Sequence, residues 1–523
     1  MLAGAAVFLL AGSALAPDRA DAATGPDTGL PLGAAGLPQT VTVEQVLPGV
    51  TLTTYVRGYA SAADFWYVRA GFLATREAAQ ALAARLAAAG QPAQVEEIDG
   101  RPVDDPVLGP AGYLVRVGRF ASQAEAAALA QSLSQAGFTG LAVTNTALNG
   151  GPTTGPWVVR VLRIDRRFAG TVSDELSNGV VPDRETTSSM VHRLGAVAGV
   201  NGGYFVIGAA DGTPGSPAGV SVLDGQVVHE ANGRAALVLP PGAAAPRIAR
   251  LDSLLSVRSS DGADRPLNGV DRSVGVIRDC GEPGDVPTTL TRQDVTCTNP
   301  NELVAFDATY GPVAEPGPGA EAVLDGRGTV LRLLDSRGGP IPAGGQIIEG
   351  IGTGADWLRA HATPGTRLWL HESLADEDGG AVPLTPGTDV VGGGPYLVVG
   401  GRPFVDAYTE GFEHPDDPGF YYAFGIARNP RTMAGVTGGG DLLLVTVDGR
   451  QPGYSVGLSF AEEALLMRAL GSTRAVNLDG GGSTTMAIDG RVLGRPSDAT
   501  GERPIGDAIL IFAPTTDSVR GAW

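Results

Sequence analysis

The stretch AVNLDGGGSTTMAIDG, Ala475 to Gly490, joins an apolar run to an aspartate, three consecutive glycines and three hydroxyl side chains. The apolar residues before Asp479 have a buried-strand pattern, so this aspartate lies at a strand exit, where a carboxylate can face a cleft on rigid support. Glycine permits positive φ and close backbone approach, so the amides of Gly480, Gly481 and Gly482 can converge on one anion. The competing interpretation is a tight hairpin turn, because Asp-Gly and Gly-Gly pairs are common hairpin connections.

Other glycine-rich clusters follow predicted strands, in VNGGYF (Val200–Phe205) and VVGGGPYLV (Val390–Val398). Arginines accompany them in RNPRTMAGV (Arg428–Val436) and VDGRQPGYS (Val447–Ser455). Arginine forks match phosphate oxygens bidentately, so the joint occurrence of these arginines predicts a site for a phosphate-bearing ligand. The alternative is that Arg431 or Arg450 is a surface salt-bridge partner. The candidate binding residues are Arg431, Thr432, Arg450, Gly480, Gly481, Gly482, Ser483, Thr484, Asn201, Gly202, Tyr204, Gly393, Gly394, Asn477, Glu462 and Arg503.

Length and composition indicate the fold class. The chain has 523 residues, more than the roughly 100 to 200 of an ordinary domain, so two or more modules are expected. Its 77 glycines and 38 prolines require many turns. We therefore expect an α+β protein whose main module is β-rich, with mixed or antiparallel sheets and two clear helices, near Ser188 and from Ser459. The net charge of -19 argues against nucleic-acid binding, which needs a clustered basic surface.

The N-terminus has the composition of a secretion signal. An apolar run of small residues precedes Ala20-Asp21-Ala22, which fits a small-x-small cleavage site, although a positively charged start is missing. A membrane anchor is the alternative, but the run is shorter than the roughly 20 residues that span a bilayer. We expect a signal peptide, a secreted or cell wall-associated protein, and no membrane span after signal removal. In an exported chain Cys280 and Cys297 are expected to form a disulfide.

An internal repeat follows. At an offset of 47 residues, VRAGFL (Val68–Leu73) aligns with VRVGRF (Val115–Phe120). Each half predicts a strand, an Ala-rich helix, a glycine stop and a second strand, and Ser122 and Glu125 have capping-box spacing at the second helix. Two such units predict a ferredoxin-like βαββαβ domain, with a four-stranded antiparallel sheet and two helices on one face.

The segment YLVRVGRFASQAEAAALAQSLSQAG, Tyr113–Gly137, resembles the sporulation-related repeat (SPOR) family. This resemblance covers residues 64–146 and implies binding to peptidoglycan glycan strands. On an open sheet face, Trp66, Tyr67 or Tyr113 would stack on sugar rings. The alternative is that these aromatic residues are half-buried strand residues of a docking domain with no ligand.

The small domain is expected to be an insertion in the main module. LPGVTLTTYVRG (Leu47–Gly58) and PWVVRVLRID (Pro156–Asp165) look like strands of one larger unit, and exposed loop tips tolerate insertions. Deleting residues 64–146 is therefore expected to keep activity on small substrates. The predicted division is a signal peptide at 1–22, a linker at 23–46, the first strands of the catalytic module at 47–63, the SPOR-like domain at 64–146, a linker at 147–156 and the catalytic domain at 157–523.

The motif order in the main module resembles the phosphodiester glycosidase family, which includes the lysosomal uncovering enzyme. Tyr204 and Glu463 depart from the family pattern, which often has Phe and Leu there. The resemblance implies hydrolysis of a sugar-1-phosphodiester at its glycosidic side, in cell-wall or capsular glycopolymers. The matching elements are VNGGYF, VVGGGPYLV, RNPRTMAGV, VDGRQPGYSVGLSFAEEALLMRALG, AVNLDGGGSTTM and GERPIGDAILIF, between Trp157 and Phe512.

Such a reaction needs a carboxylate beside the anomeric carbon and neutralisation of the leaving phosphate. Asp479 is the first candidate for that carboxylate, and Asp448 and Glu502 are the alternatives. Glu462 also has a structural explanation, because Ser459 and Glu462 have capping-box spacing. No cofactor is required by this chemistry, and a divalent cation held by Asp448 and Asp479 stays open. The alternative function is a non-catalytic wall protein that binds phosphorylated glycans.

Overall fold

The protein is described by a computed structural model that covers residues 29–242, 244–278, 296–414 and 417–514. Its central element is an eight-stranded antiparallel sheet, called the first sheet. Most of its inner strands are apolar and buried, as expected for strands covered on both faces. In order, its strands are Gln39–Leu47, Val50–Arg57, Trp157–Ile164, Leu442–Val447, Arg431–Thr437, Ser472–Asn477, Tyr396–Val399 and Arg402–Pro403.

A five-stranded antiparallel sheet, called the fourth sheet, packs on the first. Apolar residues from both sheets form one buried cluster, which includes Leu162, Leu444, Val200 and Ile509. Burial of such side chains contributes about 1.5–3 kcal/mol each, so this cluster fixes how the two sheets are placed. The strands of the fourth sheet are, in order, Arg491–Val492, Met486–Ile488, Ala198–Asn201, Asp507–Phe512 and Thr171–Leu176.

The second and third sheets form the middle of the main module and share a separate apolar core. The second sheet contains Gln226–His229, Ser221–Leu223, Asp389–Gly392, Asn232–Leu239, Arg247–Ser259, Leu368–Asp376 and Ala381–Val382, with Asp264–Pro266 paired to Arg247–Ser259. The third contains Gly269–Val270, Leu303–Phe306, Gln346–Gly350, Gly317–Leu324 and Val330–Arg337. Its first two strands are parallel, and a separate hairpin pairs Val276–Arg278 with Thr296–Thr298.

The small domain lies between two neighbouring strands of the first sheet. Val50–Arg57 and Trp157–Ile164 pair along their length, and the Tyr59 N–H donates to the Thr154 carbonyl (2.9 Å) where the chain leaves and returns. Helices Arg76–Ala88 and Gln123–Gln135 cover one face of its sheet. The sheet contains, in order, Ala93–Ile98, Gly112–Phe120, Trp66–Leu73 and Ala142–Asn145, and all pairs are antiparallel.

Helices begin where the sequence predicts in most cases. Thr187–Leu194 and Phe460–Ala469 are the two helices expected in the main module, and the capping boxes at Ser122 and Ser459 are confirmed. Thr353–His361 was not predicted, because its N-cap is Gly352, which offers no capping side chain. The remaining helical segments are Pro418–Tyr421, the π-helical turn Tyr422–Ile426 and the 3-10 turns Thr146–Leu148, Ser177–Gly179 and Gly481–Ser483.

The linker prediction needs one correction. Residues 39–46, expected in a linker, belong to the edge strand Gln39–Leu47, which pairs along its length with Val50–Arg57. Its side chains are mostly exposed, so the hydrophobic alternation that marks a half-buried strand is weak here. The predicted signal peptide and Cys280 lie outside the described residues, while Cys297 is fully buried. Within the described chain, no helix has the length and apolar character needed to cross a membrane.

Candidate functional site

Two strand exits from different sheets meet at Asp479. This aspartate follows the first-sheet strand Ser472–Asn477, and Asn201 ends the fourth-sheet strand Ala198–Asn201. The Asp479 N–H donates to the Gly202 carbonyl (3.2 Å), and Asn201 Nδ2 donates to the Asp479 carbonyl (2.7 Å). Segments that are far apart in sequence therefore fix the backbone of Asp479.

Asn201 is the centre of this arrangement, and its side chain is fully buried. Its Oδ1 accepts hydrogen bonds from the Thr432 hydroxyl (2.6 Å) and from the Thr485 N–H (3.1 Å). One amide thus joins the predicted residues Thr432 and Asp479 to the chain beyond the glycine turn. Such a buried and fully used amide is costly to remove, because its partners would be left without hydrogen bonds.

The three glycines of the turn approach three different arginines. A Cβ built on Gly480 would lie 2.9 Å from the Pro430 carbonyl oxygen and 3.7 Å from Cδ of Arg431. On Gly481, whose φ is +62°, it would lie 3.3 Å from Nη2 of Arg450. On Gly482 it would collide with the Arg503 guanidinium and the Asp498 carboxylate. Backbone packing at Gly480 and the positive φ of Gly481 therefore favour glycine, and at Gly482 any side chain would have to displace Arg503 and Asp498.

The three arginines differ in whether a carboxylate of the protein already pairs with their guanidinium group. Arg431 is fully buried and pairs with Glu463 (Nε–Oε1, 2.8 Å), and Arg503 pairs with Asp498 (Nη2–Oδ2, 2.8 Å). Arg450 keeps exposed surface and donates from Nε to Asn429 Oδ1 (3.0 Å), while its two terminal nitrogens make no hydrogen bond to any residue in the described chain. Arg450 is therefore the arginine best placed to receive an anionic ligand.

The charges of this cluster act on one another. Desolvation lowers the pKa of Arg450, and the nearby positive charges of Arg431 and Arg503 lower it further. Burial raises the pKa of Asp479 to about 6, against hydrogen bonding from Ser483 and the Gly480 N–H and the charge of Arg503. The Gly480 N–H lies 2.8 Å from Asp479 Oδ1. A carboxylate with this pKa is ionised at neutral pH and still basic enough to accept a proton.

Tyr204, Asn477 and Gly394 form a second network beside Asp479. The Tyr204 hydroxyl donates to the Gly394 carbonyl (2.9 Å), and Asn477 Nδ2 donates to the Tyr204 hydroxyl (2.5 Å) and to the same carbonyl (2.9 Å). Gly393 fits closely here, since a Cβ on it would lie 2.5 Å from the Asn477 carbonyl oxygen. The network thus brings together four of the residues predicted from the sequence.

Several buried polar atoms around the turn have no hydrogen-bond partner within the described part of the chain. They are the hydroxyls of Thr484 and Thr485 and Oδ1 of Asn477. Buried polar groups in native proteins are nearly always satisfied by protein, water or ligand. These atoms are therefore available for water or for a hydroxyl-rich ligand.

An aromatic wall adjoins the same residues. The rings of Phe412 and Phe424 stack at 5.8 Å, and Tyr204 lies 5.9 Å from Phe412 and 6.2 Å from Phe424, between ring centroids. The Arg431 guanidinium lies 4.5 Å from the centre of the Phe460 ring. Neither phenylalanine of the stacked pair was predicted, because neither follows an apolar strand pattern in the sequence.

The two alternative carboxylates lie in other networks. Asp448 is buried, pairs with Arg160 (Oδ2–Nη1, 3.0 Å) and accepts from the Tyr454 hydroxyl (2.6 Å). Glu502 accepts from the N–H (2.8 Å) and hydroxyl (2.5 Å) of Ser188 at the start of a helix. Among the described residues, neither carboxylate contacts Asp479.

Glu462 has the structural role that its spacing suggests. It completes the capping box with Ser459 and binds Arg428 (Oε1–Nη2, 2.6 Å). Arg428 also donates to the carbonyls of Ala147 and Gly151, at 2.9 and 2.8 Å. Glu462 therefore anchors the segment that leads out of the small domain.

Asp507 is a residue of the site that sequence reasoning missed. It accepts from the Gly203 N–H (3.1 Å), and its carboxylate fills the space that a Cβ on Gly202 would occupy. Burial raises its pKa to about 6, and burial beside Asp507 and Asp389 raises the pKa of Asp174 well above its ordinary range. An acidic residue that begins an apolar strand, DAILIF, was the signal that could have identified it.

The three aromatic residues predicted to bind glycans do not share one open face. Tyr67 is fully buried, in a cluster with Leu114 and Tyr422 of the main module. Tyr113 packs on the helix-covered side and lies under the Arg76 guanidinium, 4.9 Å from ring centre to Cζ. Trp66 is half-buried at the start of its strand.

Neither the two best-formed cavities nor any cluster of potential metal ligands in the described residues coincides with the Asp479 cluster. Two cavities, of about 680 and 420 Å³, lie among the second and third sheets; His371 lines both, and neither is lined by a residue of the Asp479 cluster. Within the described ranges, no group of three or more His, Cys, Asp and Glu side chains is arranged to hold a metal ion. The Asp479 cluster therefore remains the candidate site, because it combines a carboxylate with arginines and backbone donors.

The fold and the site define a β-rich module with a carboxylate beside an arginine-lined glycine turn, joined to a small βαββαβ domain. The family model for the phosphodiester glycosidase domain matches residues 318–512, and the SPOR domain model matches residues 62–144. The chain therefore carries a phosphodiester glycosidase domain and a SPOR domain.

Solved structures and a curated protein are similar to this chain. A Burkholderia pseudomallei K96243 protein named "Putative exported protein" is 38% identical, covers 94% of this chain and 100% of its own, and has a TM-score of 0.85. A hypothetical protein from Synechocystis is 17% identical over 91% of this chain and 76% of its own, with a TM-score of 0.54, which shows the fold alone.

The SPbeta prophage-derived uncharacterized protein YomE of Bacillus subtilis (strain 168) is 34% identical over 91 residues. The match covers 17% of this chain and 14% of that protein's length. Together the two domain matches support a hydrolase-like, cell wall-associated protein.

Proposed function

We propose that this protein hydrolyses a sugar-1-phosphodiester at its glycosidic side, releasing a sugar and a phosphomonoester. The observation that carries the proposal is the turn after Asp479, where three glycines each approach a different arginine. A carboxylate for the sugar and positive charge for the phosphate are the two groups that this reaction needs side by side.

Arg450 is proposed to bind the phosphate, because its terminal nitrogens are unused by the described protein and lie against Gly481. Arg503 lies on the far side of Gly482 and adds positive charge. Preorganised donors stabilise the negative charge that develops on the leaving phosphate, so less general-acid assistance is needed.

Asp479 is proposed to act on the sugar. Its carboxylate stabilises the positive charge that develops at the anomeric carbon and takes a proton from the attacking water. The bond between the anomeric carbon and the phosphate oxygen breaks, and the electron pair leaves with that oxygen. Its pKa of about 6 suits a base at neutral pH. Tyr204, Asn477 and Thr484 are proposed to bind sugar hydroxyls.

The small domain is proposed to be a ferredoxin-like SPOR domain that binds peptidoglycan glycan strands. This domain, together with the printed name "Putative exported protein" of the Burkholderia relative, supports a proposed substrate among cell-wall or capsular glycopolymers. Such polymers contain sugars joined through phosphodiesters, which is the linkage that the Asp479 site is proposed to cut.

A nitrophenyl-phosphoryl N-acetylglucosamine diester tests the proposed activity directly. We expect the unsubstituted protein to release N-acetylglucosamine. For Asp479→Asn we expect kcat to fall about a hundredfold or more. Asp335→Asn is the matched control, since the Asp335 side chain is 95% exposed in the third sheet. Binding without any released sugar between about pH 4 and pH 9 would favour a non-catalytic glycan-binding protein.

A further inference from the structure

One face of the small-domain sheet is covered by the main module. Tyr67 and Leu114 on this face are fully buried beneath Tyr422. The ring of Phe72 stacks on that of Tyr422, with centroids 4.4 Å apart and planes 13° from parallel. The Arg69 guanidinium lies 5.4 Å from the centre of the same ring. The contact is a packed aromatic interface of the kind that contributes most where it is fully desolvated.

A second contact joins the small-domain loop that carries Arg101 and Asp104 to the loop 408–413. Arg101 pairs with Glu413 (Nη1–Oε1, 2.9 Å). The Asp104 carboxylate accepts from the N–H groups of Tyr408 (3.3 Å) and Thr409 (2.6 Å). The small domain therefore contacts two neighbouring segments of the main module, the loop 408–413 and the helical segment 417–426.

Both loops continue into the aromatic wall of the candidate site. The loop 408–413 carries Phe412, and the segment 417–426 carries Phe424, which stacks on it. The Phe424 carbonyl accepts from Nη2 of Arg431 (2.5 Å). The Gly481 N–H in turn donates to the carbonyl of Pro430, next to Arg431 (2.9 Å). A continuous chain of contacts leads from the small-domain sheet to the glycine turn.

The geometry points to a new role for the small domain: its sheet face is a docking surface for the loops 408–413 and 417–426. Phe72 and Tyr67 are positioning residues that hold Phe424 and Arg431 in place. Tyr422, which contacts the small domain, and Phe424 both lie in the π-helical turn Tyr422–Ile426. Turns of this kind are often found at functional sites. Peptidoglycan binding in the docked protein then uses surfaces other than this sheet face.

With this docking role, deletion of residues 64–146 no longer leaves small-substrate activity unchanged, contrary to the expectation from the sequence. Misplacement of catalytic groups by about 1 Å can lower the rate about a hundredfold. Removing the docking surface exposes Tyr422 and frees both loops, so turnover falls even for substrates that never touch the small domain.

The test uses the full chain with Phe72→Ala, and its activity readout rests on the proposed function. We expect kcat on the nitrophenyl-phosphoryl diester to fall at least about tenfold, with a smaller change in KM, because Phe72 acts through the positions of Phe424 and Arg431 and is not among the proposed substrate-binding residues. Phe72→Tyr retains the stacked ring and is expected to stay within about twofold of the natural sequence. Leu108→Ala is the control, since Leu108 is 93% exposed in the same domain.

Hydrogen–deuterium exchange gives a readout that does not depend on activity. Phe72→Ala is expected to speed exchange of amides in residues 418–432, while amides of the fourth-sheet strand Asp507–Phe512 stay unchanged. If the unsubstituted protein shows no turnover, the proposed function fails. The exchange data then still show whether the small domain holds residues 418–432 in place. Unchanged exchange and unchanged kcat in Phe72→Ala would overturn the inference. Faster exchange at 418–426 on adding peptidoglycan sacculi would also overturn it, because glycans would then displace the loops.

Discussion

Replacing Asp479 by asparagine is expected to remove activity and to stabilise the fold at neutral pH. The pKa of Asp479 is about 6 in the folded protein against an ordinary value of 3.8, because burial penalises its charge. That difference corresponds to about 3 kcal/mol of destabilisation when the carboxylate is ionised. The side chain is only half-buried, so solvent screening reduces the expected gain to about 1–2 kcal/mol.

The sign of this effect follows from proton linkage. A carboxyl whose folded pKa is raised binds its proton more tightly in the folded state than in the unfolded state. The folded state is therefore penalised progressively as pH rises from about 3.8 to about 6, and the penalty is complete above that window. Asp479→Asn removes the penalty, so its stabilisation is expected near neutral pH and absent at about pH 3.5.

Thermal unfolding of the two proteins in parallel buffers measures this difference. We expect the Tm of Asp479→Asn to exceed that of the natural sequence at about pH 7.5 and to match it near the acidic end. The Asp335→Asn control is expected to change the Tm at neither pH, since that side chain is 95% exposed. A variant that is less stable at both pH values would refute the reasoning, because Asp479 would then be a stabilising structural carboxylate.

Three further substitutions separate binding from folding. Arg450→Ala is expected to raise KM for the phosphodiester about tenfold or more and to leave KM for a nitrophenyl sugar lacking phosphate unchanged; equal effects on both would contradict a phosphate role. Arg431→Ala leaves the buried Glu463 and the Leu458 carbonyl without their donor, so we expect a loss of about 1–3 kcal/mol in urea unfolding; retention of full stability would show that these contacts are dispensable. Asn201→Ala removes the amide that joins three segments, so the free energy of unfolding in urea is expected to fall by about 2–4 kcal/mol. A fall of less than about 0.5 kcal/mol would contradict this role.

The sequence carried enough information for the strands that lead into the candidate site and for the glycine turn. Asp479 follows an apolar strand, and a local pattern of that kind survives folding because the strand must be buried. Asn201 and Asn477 also follow the pattern, since each ends a strand that enters the site. The capping boxes at Ser122 and Ser459 were readable because capping depends on residues only three positions apart.

Pairings between distant segments were not readable from the sequence. Arg431 and Arg450 both looked like phosphate ligands, and only the folded chain shows that Glu463 already pairs with the first. Asp448 meets Arg160, which lies almost three hundred positions earlier, at a distance of 3.0 Å. The aromatic residue Tyr67 was expected on an open face, which the main module covers with Tyr422. Such partners are set by tertiary packing, which the local hydrophobic periodicity of the sequence does not determine.

Hydrolysis in ¹⁸O-labelled water tests the central claim, cleavage at the glycosidic side, most directly. Water that attacks the anomeric carbon leaves its oxygen in the released sugar, whereas attack at phosphorus leaves it in the phosphate. Mass spectrometry of both products from the nitrophenyl-phosphoryl diester therefore identifies the bond that breaks. We predict the label in N-acetylglucosamine and none in the phosphomonoester. Label in the phosphate would contradict the account, because Asp479 would then not act at the sugar carbon.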